Sequence, residues 1–117
     1  MPSLHVIGGF AVLGVAAVLT LVAAGVALAD RGHDLIPRLA GVALAAFAVQ
    51  GLVGVVLLLS GTGPRDWLHV VYGVVLAGVV PLGSSFTSEA PPRARSWAFA
   101  GIGVVALLLA WRLFGTG

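Results

Sequence analysis

Six basic and four acidic side chains are gathered into a few short clusters, and the chain between those clusters is almost wholly apolar. Leu4 to Ala29 carries no charge, and neither do Leu39 to Leu59, Trp67 to Phe86 and Ser96 to Trp111. A helix needs about 20 apolar residues, within a range of about 17–25, to cross the hydrocarbon core of a bilayer. The first three stretches reach that length. The fourth does so by taking in Ala94 at one end and Leu113 and Phe114 at the other. The pattern predicts four transmembrane helices, over about residues 4–29, 38–60, 66–86 and 95–114. Barrel strands would alternate apolar and polar residues over about ten positions, and none of these stretches alternates. Composition agrees: 60% of the 117 residues are hydrophobic and 9% charged, against about 45–50% and about 25% in an ordinary soluble domain. So few charges cannot clothe a water-soluble globular enzyme. The net charge of +2 is too small for a nucleic-acid-binding patch, so no nucleic-acid partner is expected. With no cysteine, disulfides, thiolate metal sites and thiol nucleophiles are excluded.

The first stretch lacks a basic leader and is too long for the core of a signal peptide. Asp30-Arg31-Gly32-His33-Asp34 with Pro37, Gly61-Thr62-Gly63-Pro64, and Ala90-Pro91-Pro92 supply the breaks. Pro81 falls inside the third span, where it removes one backbone donor and is expected to kink the helix. Four crossings place the N-terminus, the Gly61–Asp66 loop and the C-terminus on one side, A, and the other two loops on side B. Side B holds Arg31, Arg38, Arg93 and Arg95, whereas side A holds Arg65 and Arg112. An excess of arginine marks the cytoplasmic side. The expectation is a multi-pass protein of a bacterial plasma membrane with both termini extracytoplasmic, its first partner the lipid bilayer. Trp67, Trp111 and Trp97 sit where interfacial anchors belong.

The odd-numbered helices share a beginning. Leu4-His5-Val6-Ile7-Gly8-Gly9 and Leu68-His69-Val70-Val71-Tyr72-Gly73 match in Leu, His, Val and the last Gly at an offset of 64 positions, and the match continues at Gly14/Gly78 and Val15/Val79. Only three histidines exist in the chain, so their coincidence counts for more than matches of valine or glycine. Gly61-Thr62-Gly63 and Gly115-Thr116-Gly117 end the even-numbered helices alike. The chain therefore reads as an all-α, integral membrane four-helix bundle made of two parallel-repeat helical hairpins. The halves are about residues 1–63 and 64–117 of a single transmembrane domain.

Parallel copies place His5 and His69 at the same end, near side A, where they can face each other across the bundle. Two opposed imidazoles suit the axial positions of a haem iron. Gly9 and Gly73 follow their histidines by four residues, on the same helical face, and leave room for a flat macrocycle. Val12 and Leu76 would pack on its faces. Arg112, and secondly Arg65, would meet the propionates, with Tyr72 at a propionate or the ring edge.

In His5, Gly9, His69, Gly73 and Arg112 the pattern resembles the small four-helix membrane cytochromes of type b. The resemblance is architectural, and it implies histidine-ligated haem b with small residues beside the ligands and arginine at the propionates. Many members of that group hold two haems, one near each surface. Side B here offers only His33, read as a solvated loop residue, so a second bis-histidine site is not expected within one protomer. The expected function is one-electron transfer, with a quinol or an extracytoplasmic redox protein as partner, or a place in a homo-oligomer or larger redox complex. The rival readings are a structural or assembly subunit without redox chemistry, and a small transporter or channel. Proton-coupled exporters of this size use a membrane-embedded glutamate, and no span here contains a carboxylate. Gln50, the only side-chain amide, is expected to make an interhelical hydrogen bond. Gly51, Gly54, Gly101 and Gly103 are expected to permit close helix packing, and Asp66 to cap the third helix. No Ser–His–Asp or paired-carboxylate set can be assembled within the spans, so no catalytic residue is assigned.

Overall fold

The computed structural model describes residues 2–117, with side chains from Ser3 onward. Four helices follow one another: α1 (Pro2–Ala29), α2 (Leu35–Leu59), α3 (Leu68–Thr87) and α4 (Pro92–Thr116). All four are long and apolar enough to cross a membrane. The shortest, α3, has 20 residues, and at 1.5 Å per residue it spans about 30 Å, the thickness of the hydrocarbon core. The helices run past the charge-free stretches, through Arg38 in α2 and through Arg93, Arg95 and Arg112 in α4. Charge ends hydropathy but not helical hydrogen bonding, and arginine is a good helix former. α3 also continues through Pro81.

The connections have local causes. Asp30 takes the left-handed conformation (φ 51°) just after α1, a position that aspartate tolerates better than most residues. Gly32 (φ 78°) and Gly61 (φ 82°) supply the other left-handed positions. Asp66, expected as the cap of α3, stands one residue before the N-cap position, which Trp67 occupies, and its Oδ1 accepts from the Leu68 N–H at 3.0 Å. The short α3–α4 loop is clamped by Arg95. Its Nε donates to Thr87 O at 3.2 Å, and one terminal nitrogen donates to Ser88 O at 2.8 Å and Ala90 O at 3.2 Å.

Each helix packs on the next in chain order, and α4 closes the ring against α1. α1 therefore lies diagonally opposite α3, and α2 opposite α4. The buried positions follow spacings of four and three: Val12, Ala16, Leu19, Ala23 and Val26 in α1; Ile36, Ala40, Ala43 and Phe47 in α2; Phe99, Gly103, Ala106 and Ala110 in α4. Spacing of this kind keeps one seam facing the bundle axis. Many of the residues on it are alanine or glycine, which bring backbones close where lipid supplies no hydrophobic drive between helices. At Gly103 the helix backbones themselves come close, where an added Cβ would stand 2.9 Å from the Thr20 Cα and N. The outer faces carry exposed Leu21, Leu52, Leu82, Phe86 and Leu108, a surface suited to lipid.

The two ends of the bundle differ. The core runs from the starts of α2 and α4 as far as a layer of Val12, Phe47, Leu76 and Ala110, one residue from each helix. Beyond that layer, toward side A, α2 buries only Leu57 and α3 buries no side chain. The helices stand apart there and leave a cavity that opens to the outside past exposed Val55 and Val74.

Candidate functional site

The cavity has a volume of about 560 Å³, within the range of roughly 300–1,000 Å³ typical of small-molecule sites. Its floor is the Val12–Phe47–Leu76–Ala110 layer, and Gly51 and Gly54 of α2 face Gly73 and Val74 of α3 across it. The walls are apolar, and the polar atoms come chiefly from His5, Gln50 and His69. His5 and His69 stand toward its side A end with ring centroids 5.8 Å apart and ring planes inclined by 58°. The first turns of two diagonally placed helices thus meet over the bundle axis. This requires that α1 and α3 begin at the same end, as the sequence repeat predicts.

The two rings are held differently. His69 Nδ1 is 3.0 Å from Leu113 O, in the last turns of α4, and 3.3 Å from Thr116 Oγ1. A carbonyl can only accept, so Nδ1 carries the proton and Nε2 keeps a free lone pair. His5 Nδ1 is 3.1 Å from Gln50 Nε2, and that amide nitrogen also donates to the His5 carbonyl at 2.7 Å. Gln50 thus makes its interhelical bond, from α2 to the ring and backbone of the α1 histidine. It reaches them over Gly8, where a Cβ would overlap Gln50 Oε1.

The spacing suits a metal between the rings. Metal–nitrogen bonds of about 2.0–2.1 Å on both sides would set the centroids roughly 6 Å apart. Among the described residues, no three metal-ligating side chains cluster. Two imidazoles are a sparse donor set for a bare ion, which ordinarily takes four to six ligands. They are a complete set for an iron whose other four ligands come from a porphyrin. His5 and His69, at this spacing and beside an apolar cavity, are the residues that could hold haem.

The remaining candidates divide. Gly73 lines the cavity and has open space where a Cβ would be, so it provides room as expected. Gly9 also lines it, but the Phe114 ring fills the space beside it, 3.0 Å from a would-be Cβ. The room lies instead beside Gly51, which meets nothing, and Gly54, which meets only His5 Cε1 at 3.4 Å. These two glycines line a void and do not make the close helix contact expected of them, since Gly51 meets no neighbour and Gly54 only the His5 ring. Arg112 lies 5.9 Å over the Tyr72 ring, and both are on the side A half of the bundle, outside the cavity lining. Arg65 is exposed in the α2–α3 loop, also outside it.

At the opposite end the structure corrects one expectation. His33 is not a solvated loop residue: its Nε2 donates to Asp30 Oδ1 at 2.9 Å, and Ser96 Oγ donates to its Nδ1 at 2.7 Å. A Ser–His–Asp line is therefore assembled outside the charge-free core of the spans, with His33 and Ser96 63 positions apart in the chain. Charge-free stretches could not reveal it, because Asp30 and His33 lie in a loop and Ser96 at the start of α4. Ser96 is fully buried, so no substrate can approach its hydroxyl. The line works as a clasp between the α1–α2 loop and α4, beside a second tie from Arg93 Nε to Ala27 O at 3.0 Å.

No protein-family model matches the chain, and neither a curated protein nor a solved structure matches it.

Proposed function

We propose that this chain is a multi-pass membrane protein that binds one haem b between His5 and His69 and serves one-electron transfer near the extracytoplasmic face. The observation that carries the reading is the pair of imidazoles, 5.8 Å apart, at the head of an apolar cavity of about 560 Å³. The haem would supply reversible one-electron exchange at its iron. The protein's part is to present the two ring nitrogens, to keep water from the macrocycle with Val12, Phe47 and Leu76, and to offer Arg112 to the propionates at the rim. Charge-assisted bonds from an arginine are the strong ones at a carboxylate. The chain is read as two hairpin copies with side B in the cytoplasm, since four of its six arginines fall there. Its electron partner is then a quinol in the bilayer or a redox protein docking from outside.

The test is an absorption spectrum of the protein purified from cells supplied with haem. A sharp Soret band and resolved α and β bands on reduction are expected, and they should vanish in the His5→Ala/His69→Ala double variant. Arg112→Gln should weaken haem retention and Arg65→Gln should not. A colourless wild-type protein that is folded and helical would overturn the reading and leave the structural-subunit alternative.

A further inference from the structure

The cavity is closed unequally around its sides. Of the four junctions between neighbouring helices, α1–α2 is tied by the Gln50 bonds to His5, and α3–α4 by the contact of His69 with Leu113 O. The α4–α1 junction is packed shut by Phe114, which lies against Gly9 with its ring centroid 4.8 Å from that of Phe10. The α2–α3 junction has neither kind of closure among the described residues. Gly51 and Gly73 line it, each with open space where a Cβ would stand. Its outer edges are Val55 and Val74, 50% and 67% exposed. The side A end of the cavity is better covered than this flank. The α2–α3 loop lines that end with Thr62, Gly63 and Pro64. The C-terminal Gly117 stands against the His69 ring, where a Cβ would be 2.9 Å from Cε1.

The depth of the opening sets what can use it. Val74 follows the exposed Trp67 by seven residues, so it lies about 10 Å further along the helix axis. Val55 precedes Ser60, the C-cap of α2, by five residues, or about 7.5 Å. With Trp67 at the interface, both edges of the opening fall within the hydrocarbon and face acyl chains, not water. We infer that the α2–α3 junction is a lateral portal, through which haem dissolved in the bilayer enters the cavity. The inference rests on the haem reading above. Haem is an apolar disc with two carboxylates on one edge, so it leaves water for the bilayer and keeps that edge at the interface. The opposite edge then lies at the depth of Val55 and Val74 and passes between Gly51 and Gly73. The carboxylates stay on side A, where Arg112 stands 5.9 Å over the Tyr72 ring. Glycine at 51 and 73 keeps the passage clear, because a side chain at either position would stand in it.

The chain has no cysteine, so a Val55→Cys/Val74→Cys variant carries the only two thiols. They are bridged across the junction with an apolar bis-maleimide, either before or after haem is loaded. Empty protein is then reconstituted into vesicles whose bilayer contains haem, and loaded protein is offered apomyoglobin as an acceptor. Unbridged, the variant should load to the wild-type spectrum and give its haem up slowly. Bridged before loading, it should take up none in the time the unbridged form fills. Bridged after loading, it should keep both its haem and its spectrum. Val74→Trp narrows the same passage without a cross-link, and a higher barrier acts on both directions alike. Its uptake and release should slow together, with the final haem content unchanged. Loading of the bridged protein at the unbridged rate overturns the inference and leaves the haem reading intact. Slowing in Thr62→Trp but not in Val74→Trp does the same, by showing entry past the side A loop, and that comparison stands even if the bridge disturbs the site. Protein that takes up no haem in any form, wild type included, overturns both.

Discussion

The clasp between Asp30, His33 and Ser96 yields a prediction independent of any ligand. Ser96 has no exposed surface and the His33 side chain is 22% exposed, with 2.7 Å between their bonded atoms. Removing His33 leaves a buried hydroxyl without its partner, which costs about 1–3 kcal/mol. Ser96 can turn its proton to the carbonyl four residues earlier in α4, so the expected loss in His33→Ala lies near the lower end, about 1 kcal/mol. Removing the hydroxyl strands His33 Nδ1, but the partly exposed ring can recruit water, so Ser96→Ala should also cost about 1 kcal/mol. When both are absent, nothing is left unpaired. The double variant should then be less destabilised than the sum by about 1 kcal/mol, a coupling readable in a double-mutant cycle. Asp30→Asn, which keeps the left-handed conformation and removes the charge at an exposed partner, should cost no more than about 0.5 kcal/mol. The assay is reversible unfolding in mixed micelles, driven by added dodecyl sulfate and followed by circular dichroism. Single effects that add to within about 0.3–0.5 kcal/mol would show that the hydrogen bond contributes nothing to cohesion.

Two further outcomes follow from the packing. Gly103→Ala drives a methyl group into the Thr20 backbone and should cost about 1–3 kcal/mol in the same unfolding assay, whereas Gly101→Ala, which meets open space, should be close to neutral. Gly51→Phe places a ring in the cavity, so it should abolish haem uptake while leaving the helical dichroism unchanged; undiminished uptake would place the ligand elsewhere.

The sequence made the four apolar helices legible because charge is scarce and clustered, and a bilayer-length stretch without charge has few alternatives. Helix ends were less legible, since Arg38, Arg93 and Arg112 interrupt the hydropathy without interrupting the helices. That His5 and His69 share one end could be foreseen from the helix count, for α1 and α2 together return the chain to the end where it began. The role of the glycines could not. Gly51 and Gly103 are both mid-helix glycines, and only the relative standing of the helices makes one a void and the other a close approach to a neighbouring backbone. The clasp was invisible for a similar reason. His33 and Ser96 belong to different hairpins, and no local pattern records that their side chains converge.

The concentration of small residues at one end of the bundle has a mechanical consequence. Interdigitated alanines from Ala16 to Ala23 and from Ala40 to Ala43 make that half stiff, and in the half around the histidines the helices extend from it as arms tied by hydrogen bonds only in pairs, α1 to α2 through Gln50 and α3 to α4 through His69. The width of the gap between the imidazoles is then set by leverage: a small change in helix angle at the alanine seam is magnified along the arms. Amide protons should exchange slowly along the seam and progressively faster toward His5 and His69. Substitutions at Ala23 or Ala100, remote from the cavity, would tune how readily the jaws open.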